Sequence, residues 1–248
     1  MPKDQNEALV LRTFNVGEQD KIAIFFSRER GLLKGIAKGA RKFGNRFGSC
    51  LEPLSYINIY FYEKENKDLV TVSNCDLLES FFEVQSHLDT SFTLRYFSEL
   101  IENSIPSRSE DDTLFRLLLQ TLRALSQGKD RVLLTAYFEL WFLKINGFFP
   151  NLKKCQDCGK NIENIGWISS KRDGVLCRNC RTTEKEKISS EENSIFSWIL
   201  KNPPNSENWP DFSAEQIRKA RHILKDLIVF HMEARPRFPE DLKKHFHS

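Results

Sequence analysis

Four of the six cysteines in this 248-residue chain form two closely spaced pairs. Two residues separate the members of each pair, and 18 residues separate the pairs. The four cysteines are Cys155, Cys158, Cys177 and Cys180. This spacing is typical of a site where four thiolates bind one zinc ion. Because four thiolates leave no coordination position open, such an ion stabilises the fold and activates no substrate. The sequence therefore predicts a structural zinc ribbon, with zinc as the cofactor.

The residues between the two pairs favour a ribbon over the other uses of paired cysteines. Gly159 follows the second cysteine, where a tight knuckle needs a glycine. Arg172-Asp173-Gly174 separates two short apolar runs, so we expect a hairpin turn there. A thioredoxin-like redox pair would open a helix beside a βαβ unit, and the pattern here lacks one. A zinc deaminase would need His-x-Glu before its cysteines, whereas His231-Met232-Glu233 comes after both pairs.

A second group of chemically active side chains is cationic. It consists of Arg28, Arg30, Lys34, Lys38, Arg41, Lys42 and Arg46. Against one acid, Glu29, these seven cations give residues 28–46 a net charge of +6, in a chain whose total is +3. Lys34 and Lys38 would share one face of a strand, because their separation is even. Phe43 and Phe47 are interleaved with the later cations. Cations that can bind phosphates, beside rings that can stack on bases, predict nucleic-acid binding. The alternative is a solvated cationic face with two phenylalanines that belong to the core.

Motifs for catalysis are weak in this sequence. Gly39 and Gly44 are spaced as in a phosphate-binding loop, but Asn45-Arg46 stands where that loop needs Lys and then Ser or Thr. We recognise no carboxylate cluster of the kind that a metal-dependent nuclease uses. We therefore expect a protein that is not an enzyme. A nuclease and a zinc-ribbon adaptor that contacts proteins but not DNA are the alternatives.

Strands and then helices must position these groups. Apolar residues alternate with a period close to two in five runs that turn signals separate, at residues 8–14, 20–27, 32–40, 54–63 and 69–76. Five short strands predict a small closed barrel of the OB type. Beyond residue 76 the apolar period becomes 3.6, which predicts amphipathic helices. The segment 132–145 is apolar nearly all round, so we expect it at the centre of a helical bundle.

These patterns predict an α+β multidomain chain. We expect an OB-fold nucleic-acid-binding domain at residues 1–80, the first part of a helical domain at 81–153, the zinc ribbon at 154–181, and the rest of the helical domain at 182–248. Hydrophobic residues at 40% and charged residues at 29% exclude wholesale disorder. The first residues lack the pattern of a secretory signal, and no apolar run reaches the length of a membrane span, so a cytoplasmic location is expected.

Four short stretches near the N-terminus resemble the opening of RecO recombination-mediator proteins. They are Gly17-Glu18-x-Asp20-Lys21, Ser27-Arg28-Glu29-Arg30-Gly31, Ala37-Lys38-Gly39-Ala40-Arg41-Lys42 and Leu51-x-Pro53. The likeness continues through the helical region and the four cysteines to about Pro239. It implies an N-terminal OB barrel, a helical domain, and a zinc ribbon inserted in the helical domain.

The resemblance to RecO proteins also implies a function and partners. Such proteins bind single- and double-stranded DNA, anneal complementary strands, and work with RecR to help RecA displace the single-strand-binding protein SSB. For the acidic, Phe-ended tail of SSB we expect an apolar pocket with a basic rim. Arg116, Arg123 and Arg131, which flank the central helix, are the first candidates for this rim. The second candidates are Arg218, Lys219, Arg221 and Lys225 of the last helix.

Overall fold

A computed structural model describes residues 4–63, 69–106, 108–184, 186–232 and 236–239. The chain divides into two compact units. The first contains residues 1–122 and 236–248, and the second contains residues 123–235. No helix within the described ranges is long and apolar enough to cross a membrane.

The first unit begins with a closed five-stranded barrel. Its strands are β1 (Asp4–Val16), β2 (Asp20–Ser27), β3 (Gly31–Ala37), β4 (Tyr56–Tyr62) and β5 (Leu69–Glu79). They lie in the order β1-β2-β3-β5-β4, and β4 pairs with β1 to close the barrel. All neighbours are antiparallel except β3 and β5, which are parallel. The prediction of a five-stranded OB-type barrel is confirmed.

The barrel core follows from the alternation of apolar residues along each strand. Ile57, Ile59 and Phe61 on β4 are fully buried, while the residues between them are partly exposed. The tight turn between β2 and β3 ends at Gly31. Gly31 has a φ of +61°, and a Cβ there would lie 2.1 Å from the backbone oxygen of Ser109. Only glycine therefore fits this position without a backbone shift.

Three helices follow the barrel: α1 (Phe82–Gln85), α2 (Leu88–Ser104) and α3 (Asp112–Ser126). The predicted apolar stripes of α2 and α3 are buried. At the start of α3 the Asp111 carboxylate accepts a hydrogen bond of 2.9 Å from the Leu114 N–H, so it satisfies a backbone donor that the first turn leaves unpaired. Near the end of the described chain, Phe238 is buried against Tyr96.

The second unit contains α4 (Arg131–Ile145), α5 (Ser190–Lys201) and α6 (Ala214–His231). Residues 133–140 of α4 are all buried, and α4 packs against α5 and α6, which confirms its central position. Both α5 and α6 begin with a capping box, at Ser189 and Ser213. In each box the serine hydroxyl accepts a hydrogen bond from a backbone N–H of the first turn, which has no partner within the helix. The side chain of Glu192 or Gln216 accepts one from the backbone N–H of the serine in return.

A three-stranded sheet lies between α4 and α5 in the chain. Its strands are β6 (Gly166–Ile168), β7 (Val175–Leu176) and β8 (Lys187–Ile188), in the order β7-β6-β8. The hairpin of β6 and β7 is the predicted one, but β8 was not predicted, because two residues are too few for a periodic pattern. The left-handed position of the hairpin is Arg172, at φ +58°, and not the glycine of the Asp-Gly pair.

Candidate nucleic-acid interface and metal centre

The loop after β3, residues 38–46, is called the basic loop below. Its first half is attached to the turn between β1 and β2. The Gly39 N–H donates to the Asp20 carboxylate at 2.8 Å. The Arg41 backbone N–H donates to the Gln19 carbonyl at 2.9 Å, and its guanidinium donates to the Gly17 carbonyl at 2.9 Å. The barrel therefore holds the start of the basic loop by three hydrogen bonds.

The cations from β3 onward are open to solvent. Lys34, Lys38, Arg41, Lys42 and Arg46 are all exposed. Within the described residues, the side chains of Lys34, Lys38 and Lys42 make no hydrogen bond or ion pair. We expected Lys38 to share a strand face with Lys34, but β3 ends at Ala37, so Lys38 belongs to the basic loop. These five cations are available to an anionic partner, and their role in DNA binding stays a prediction.

Arg28 and Arg30 differ from the other five cations because carboxylates already neutralise them. The Arg28 guanidinium lies 2.9 Å from Glu7 and 2.6 Å from Asp112. Arg30 lies 2.6 Å from Asp4. The hydrogen bond from Arg28 also lowers the pKa of Glu7. A phosphate at Arg28 or Arg30 would have to compete with these carboxylates, so we assign both arginines a smaller part in DNA binding.

The two candidate stacking rings have opposite environments. Phe43 is fully exposed in the basic loop. Phe47 is 2% exposed and belongs to the barrel core, and the Arg46 guanidinium lies 4.8 Å from the centre of its ring. The prediction that Phe47 stacks on bases is therefore wrong, because the chain after the basic loop turns back and places this ring inside the barrel. Stacking by Phe43 stays a prediction.

The four predicted zinc ligands converge in the second unit. The sulfurs of Cys155, Cys158, Cys177 and Cys180 all lie within 4.8 Å of one another. The sulfurs of Cys158 and Cys177 are 3.8 Å apart. Tetrahedral zinc with bonds of about 2.3 Å requires sulfurs about 3.8 Å apart, so this donor set fits zinc. Gly159, at φ +70°, donates to the Cys155 carbonyl at 2.9 Å and closes the knuckle, as the sequence predicts.

The thiol pKa values show why four converging cysteines favour a cation. Burial raises the pKa of Cys155, but donation from the backbone N–H groups of Cys158 and Cys177 outweighs burial and lowers that pKa to about 6. The sulfurs of Cys158 and Cys177 raise the pKa of Cys180 to about 12. The neighbouring sulfurs thus oppose the ionisation of all four thiols together. A divalent metal ion removes this conflict because it binds all four in the ionised form.

The first candidates for the peptide site are distributed over both units. Arg116 is exposed in the first unit and forms an ion pair of 3.0 Å with Asp112, one helical turn earlier. Arg123 and Arg131 belong to the second unit and are partly exposed. A peptide site at these three arginines stays a prediction.

The second candidates for the peptide site lose one member. Arg221 is 6% exposed, and its guanidinium donates two hydrogen bonds, of 2.9 and 2.8 Å, to the fully buried Glu139 of α4. We expected Arg221 at the basic rim of a peptide pocket, so its burial against α4 is a correction. The sequence contains only part of the signal for it: Glu139 is the one acid of α4, and a buried carboxylate requires a cationic partner, but the sequence does not show which cation that partner is.

Comparison with known families identifies the chain. The model of the family "Recombination protein O N terminal" matches residues 1–81, which include the whole barrel. The model of "Recombination protein O C terminal" matches residues 85–237, which include the helices from α2 to α6 and the four cysteines. The chain belongs to the RecO family. RecO proteins act in DNA repair and recombination, so the barrel and the four-cysteine centre are parts of a DNA repair protein.

Individual RecO proteins support the same assignment over nearly the full length. The DNA repair protein RecO of Koribacter versatilis is 30% identical over 92% of this chain and 93% of its own. That of Syntrophobacter fumaroxidans is 34% identical over 81% of this chain and 79% of its own. That of Dehalococcoides mccartyi strain BAV1 is 28% identical over 94% and 92%. The resemblance seen in the four N-terminal stretches is thereby confirmed.

Proposed function

We propose that this RecO-family protein is a non-catalytic recombination mediator that binds and anneals DNA strands. With RecR, it helps to load RecA onto single-stranded DNA that SSB covers, during gap and break repair in the cytoplasm. In this proposal residues 1–80 bind DNA, and the helical residues 81–153 and 182–248, with the ribbon at 154–181, bind partner proteins.

The observation that carries this proposal is the basic loop on the barrel. It presents Arg41, Lys42 and Arg46 to solvent around the fully exposed ring of Phe43. A large apolar ring exposed among cations gains nothing from the fold, because it contacts water instead of the core. It gains a contact when a base stacks on it while the cations bind the neighbouring phosphates. Lys34 on β3 and Lys38 directly after it are two further exposed cations of the same unit.

For the metal centre, we propose that Cys155, Cys158, Cys177 and Cys180 bind one zinc ion. Four thiolates fill the tetrahedral shell, so the ion adds folding free energy to the ribbon and has no open position for catalysis. Cys155 is 2% exposed and accepts a hydrogen bond of 3.3 Å from the Cys177 N–H, which orients two ligands before the ion binds. The proposed zinc role is therefore structural.

For the partner peptide, we propose that the acidic tail of SSB binds the helical region at Arg116, Arg123 or Arg131, or at the remaining second candidates, Arg218, Lys219 and Lys225. Each of these cationic side chains can form charge-assisted hydrogen bonds with the carboxylates of such a tail. Replacing each group in turn by Ala and measuring the affinity for an SSB-tail peptide tests this assignment. An affinity that none of the replacements changes would place the peptide elsewhere.

A strand-annealing and binding experiment tests the main proposal. A labelled single strand is titrated with the full-length protein at low salt, and its complement is then added with and without SSB. We expect saturable binding and faster annealing. An adaptor that contacts only proteins would leave the free strand unbound. A nuclease would shorten the labelled strand when magnesium is present and leave it intact in EDTA, and either result would overturn the proposal.

A further inference from the structure

A second group of metal-ligating side chains lies in the second unit, beside β8. His222 and Asp226 are four residues apart on α6, so they project from the same face of the helix. Glu186 directly precedes β8. One ligand atom from each of these three side chains lies within 4.8 Å of the other two. They line an open cleft of about 640 Å³ that a small ion and its water can enter.

One oxygen of Glu186 has no partner in this arrangement. Its Oε2 accepts a hydrogen bond of 2.7 Å from Arg172. Its Oε1 is buried from solvent and accepts no hydrogen bond. Burial, and then the nearby Asp226 carboxylate, raise the pKa of Glu186. A buried carboxylate oxygen without a partner costs free energy, and a cation bound to it removes that cost.

Arg172 supplies the support that a metal ligand usually has. Its guanidinium holds Glu186 through Oε2 and lies 4.0 Å from the Asp226 carboxylate. Outer partners of this kind orient a ligating carboxylate and leave its second oxygen for the ion. Three cations also line the cleft, namely Lys187, Arg218 and Lys219. Because they repel a metal ion, the ion must be held by direct bonds to its ligands.

We propose that Glu186 Oε1, a ring nitrogen of His222 and a carboxylate oxygen of Asp226 form a second metal site, which binds one divalent ion of the zinc class. An imidazole with two carboxylates suits Zn²⁺ and neighbouring transition metals. Three protein ligands leave the remaining positions to water, unlike the closed four-cysteine centre. The ion would connect the segment at β8 to α6 within the second unit.

Equilibrium dialysis of the full-length protein against a series of Zn²⁺ concentrations, followed by atomic absorption, tests this site. We expect one further zinc ion per chain beyond the number that survives dialysis against zinc-free buffer. His222→Ala should weaken this further ion by about tenfold or more, because even a supporting residue costs that much when it is lost. His222 is exposed, so the substitution should not affect folding. His87→Ala is the matched control, since His87 is also exposed but lies in the first unit.

A second variant, Asp226→Asn, keeps the shape of the side chain and removes its charge, so it should also weaken the further ion. Circular dichroism checks that both variants fold. The proposal is overturned if the parent binds no further ion, if neither variant changes its affinity, or if His87→Ala weakens it as much as His222→Ala. Because His222→Ala and Asp226→Asn leave all four cysteines in place, an ion bound by the cysteines would bind the parent and both variants equally.

Discussion

Removing two lysines from the basic loop should reduce the salt dependence of DNA binding by a countable amount. Five exposed cations lie close to Phe43 in the sequence: Lys34, Lys38, Arg41, Lys42 and Arg46. Each phosphate contact on a single strand contributes about −0.7 to the slope of log affinity against log salt, so five contacts predict a slope of about −3.5. The double variant Lys38→Ala, Lys42→Ala should have a slope of about −2.1.

Lys38 and Lys42 are the best positions for this change. Neither side chain forms a hydrogen bond or ion pair among the described residues, whereas Arg41 donates to the Gly17 carbonyl and Arg46 covers Phe47. Their replacement therefore removes charge without removing a contact that the fold uses. Because phosphates carry no base information, affinity should fall similarly for strands of unrelated sequence.

Fluorescence anisotropy with a labelled single strand, at salt concentrations over a tenfold range, measures the two slopes. Over that range the parent should lose affinity by about 3,000-fold and the variant by about 130-fold. The double variant Lys160→Ala, Lys201→Ala is the control, because it removes the same charge from exposed positions outside residues 28–46. It should keep the slope of the parent.

Three outcomes would refute this reasoning. If affinity falls while the slope stays, Lys38 and Lys42 act through the fold and not through phosphates. If the control flattens the slope as much as the double variant, the effect comes from net charge. If neither quantity changes, the cations are a solvated face and the DNA binds another surface.

Three further predictions concern the ring, the ribbon and the buried ion pair. Phe43→Ala should weaken single-strand binding by about 1–3 kcal/mol and leave the slope of log affinity against log salt unchanged. Phe47→Ala should instead lower the free energy of unfolding of the barrel by about 3–5 kcal/mol, as chemical denaturation would show. Replacing both Cys155 and Cys158 with Ser should release the metal, as atomic absorption would show, while binding of DNA to the barrel mostly survives; equal metal content in variant and parent would contradict the site. Arg221→Ala should lower the free energy of unfolding by about 3–5 kcal/mol, because Glu139 is left charged inside the second unit. Adding Glu139→Leu to this variant should recover most of that loss. If Arg221→Ala is as stable as the parent, the ion pair contributes little to stability.

Several features of the chain could be predicted because their signals are local. Alternation with a period of two places the five strands of the barrel, and the apolar run of α4 places this helix at the centre of its bundle. The spacing of the four cysteines predicts their convergence, since each pair forms one knuckle and the hairpin between the pairs returns the chain. Both capping boxes, at Ser189 and Ser213, are visible as short motifs.

Other features could not be predicted because they depend on residues that are far apart in the sequence. Arg28 and Arg30 look like free cations until folding places Glu7, Asp112 and Asp4 beside them. The period of a helix predicts which residues share a face, but not which charge the next helix presents. Arg221 was therefore placed in solvent, although Glu139 of α4 binds it.

The same reason separates the two candidate metal sites and the two phenylalanines. The spacing of the cysteines indicates a metal site in the sequence itself. Glu186 lies close to His222 and Asp226 only because the folded chain places the short strand β8 near α6. Phe43 and Phe47 stand in similar cationic surroundings in the sequence, yet one is in water and the other in the barrel core. Period and spacing are properties of a short segment, whereas burial and pairing depend on which distant segments the folded chain brings together.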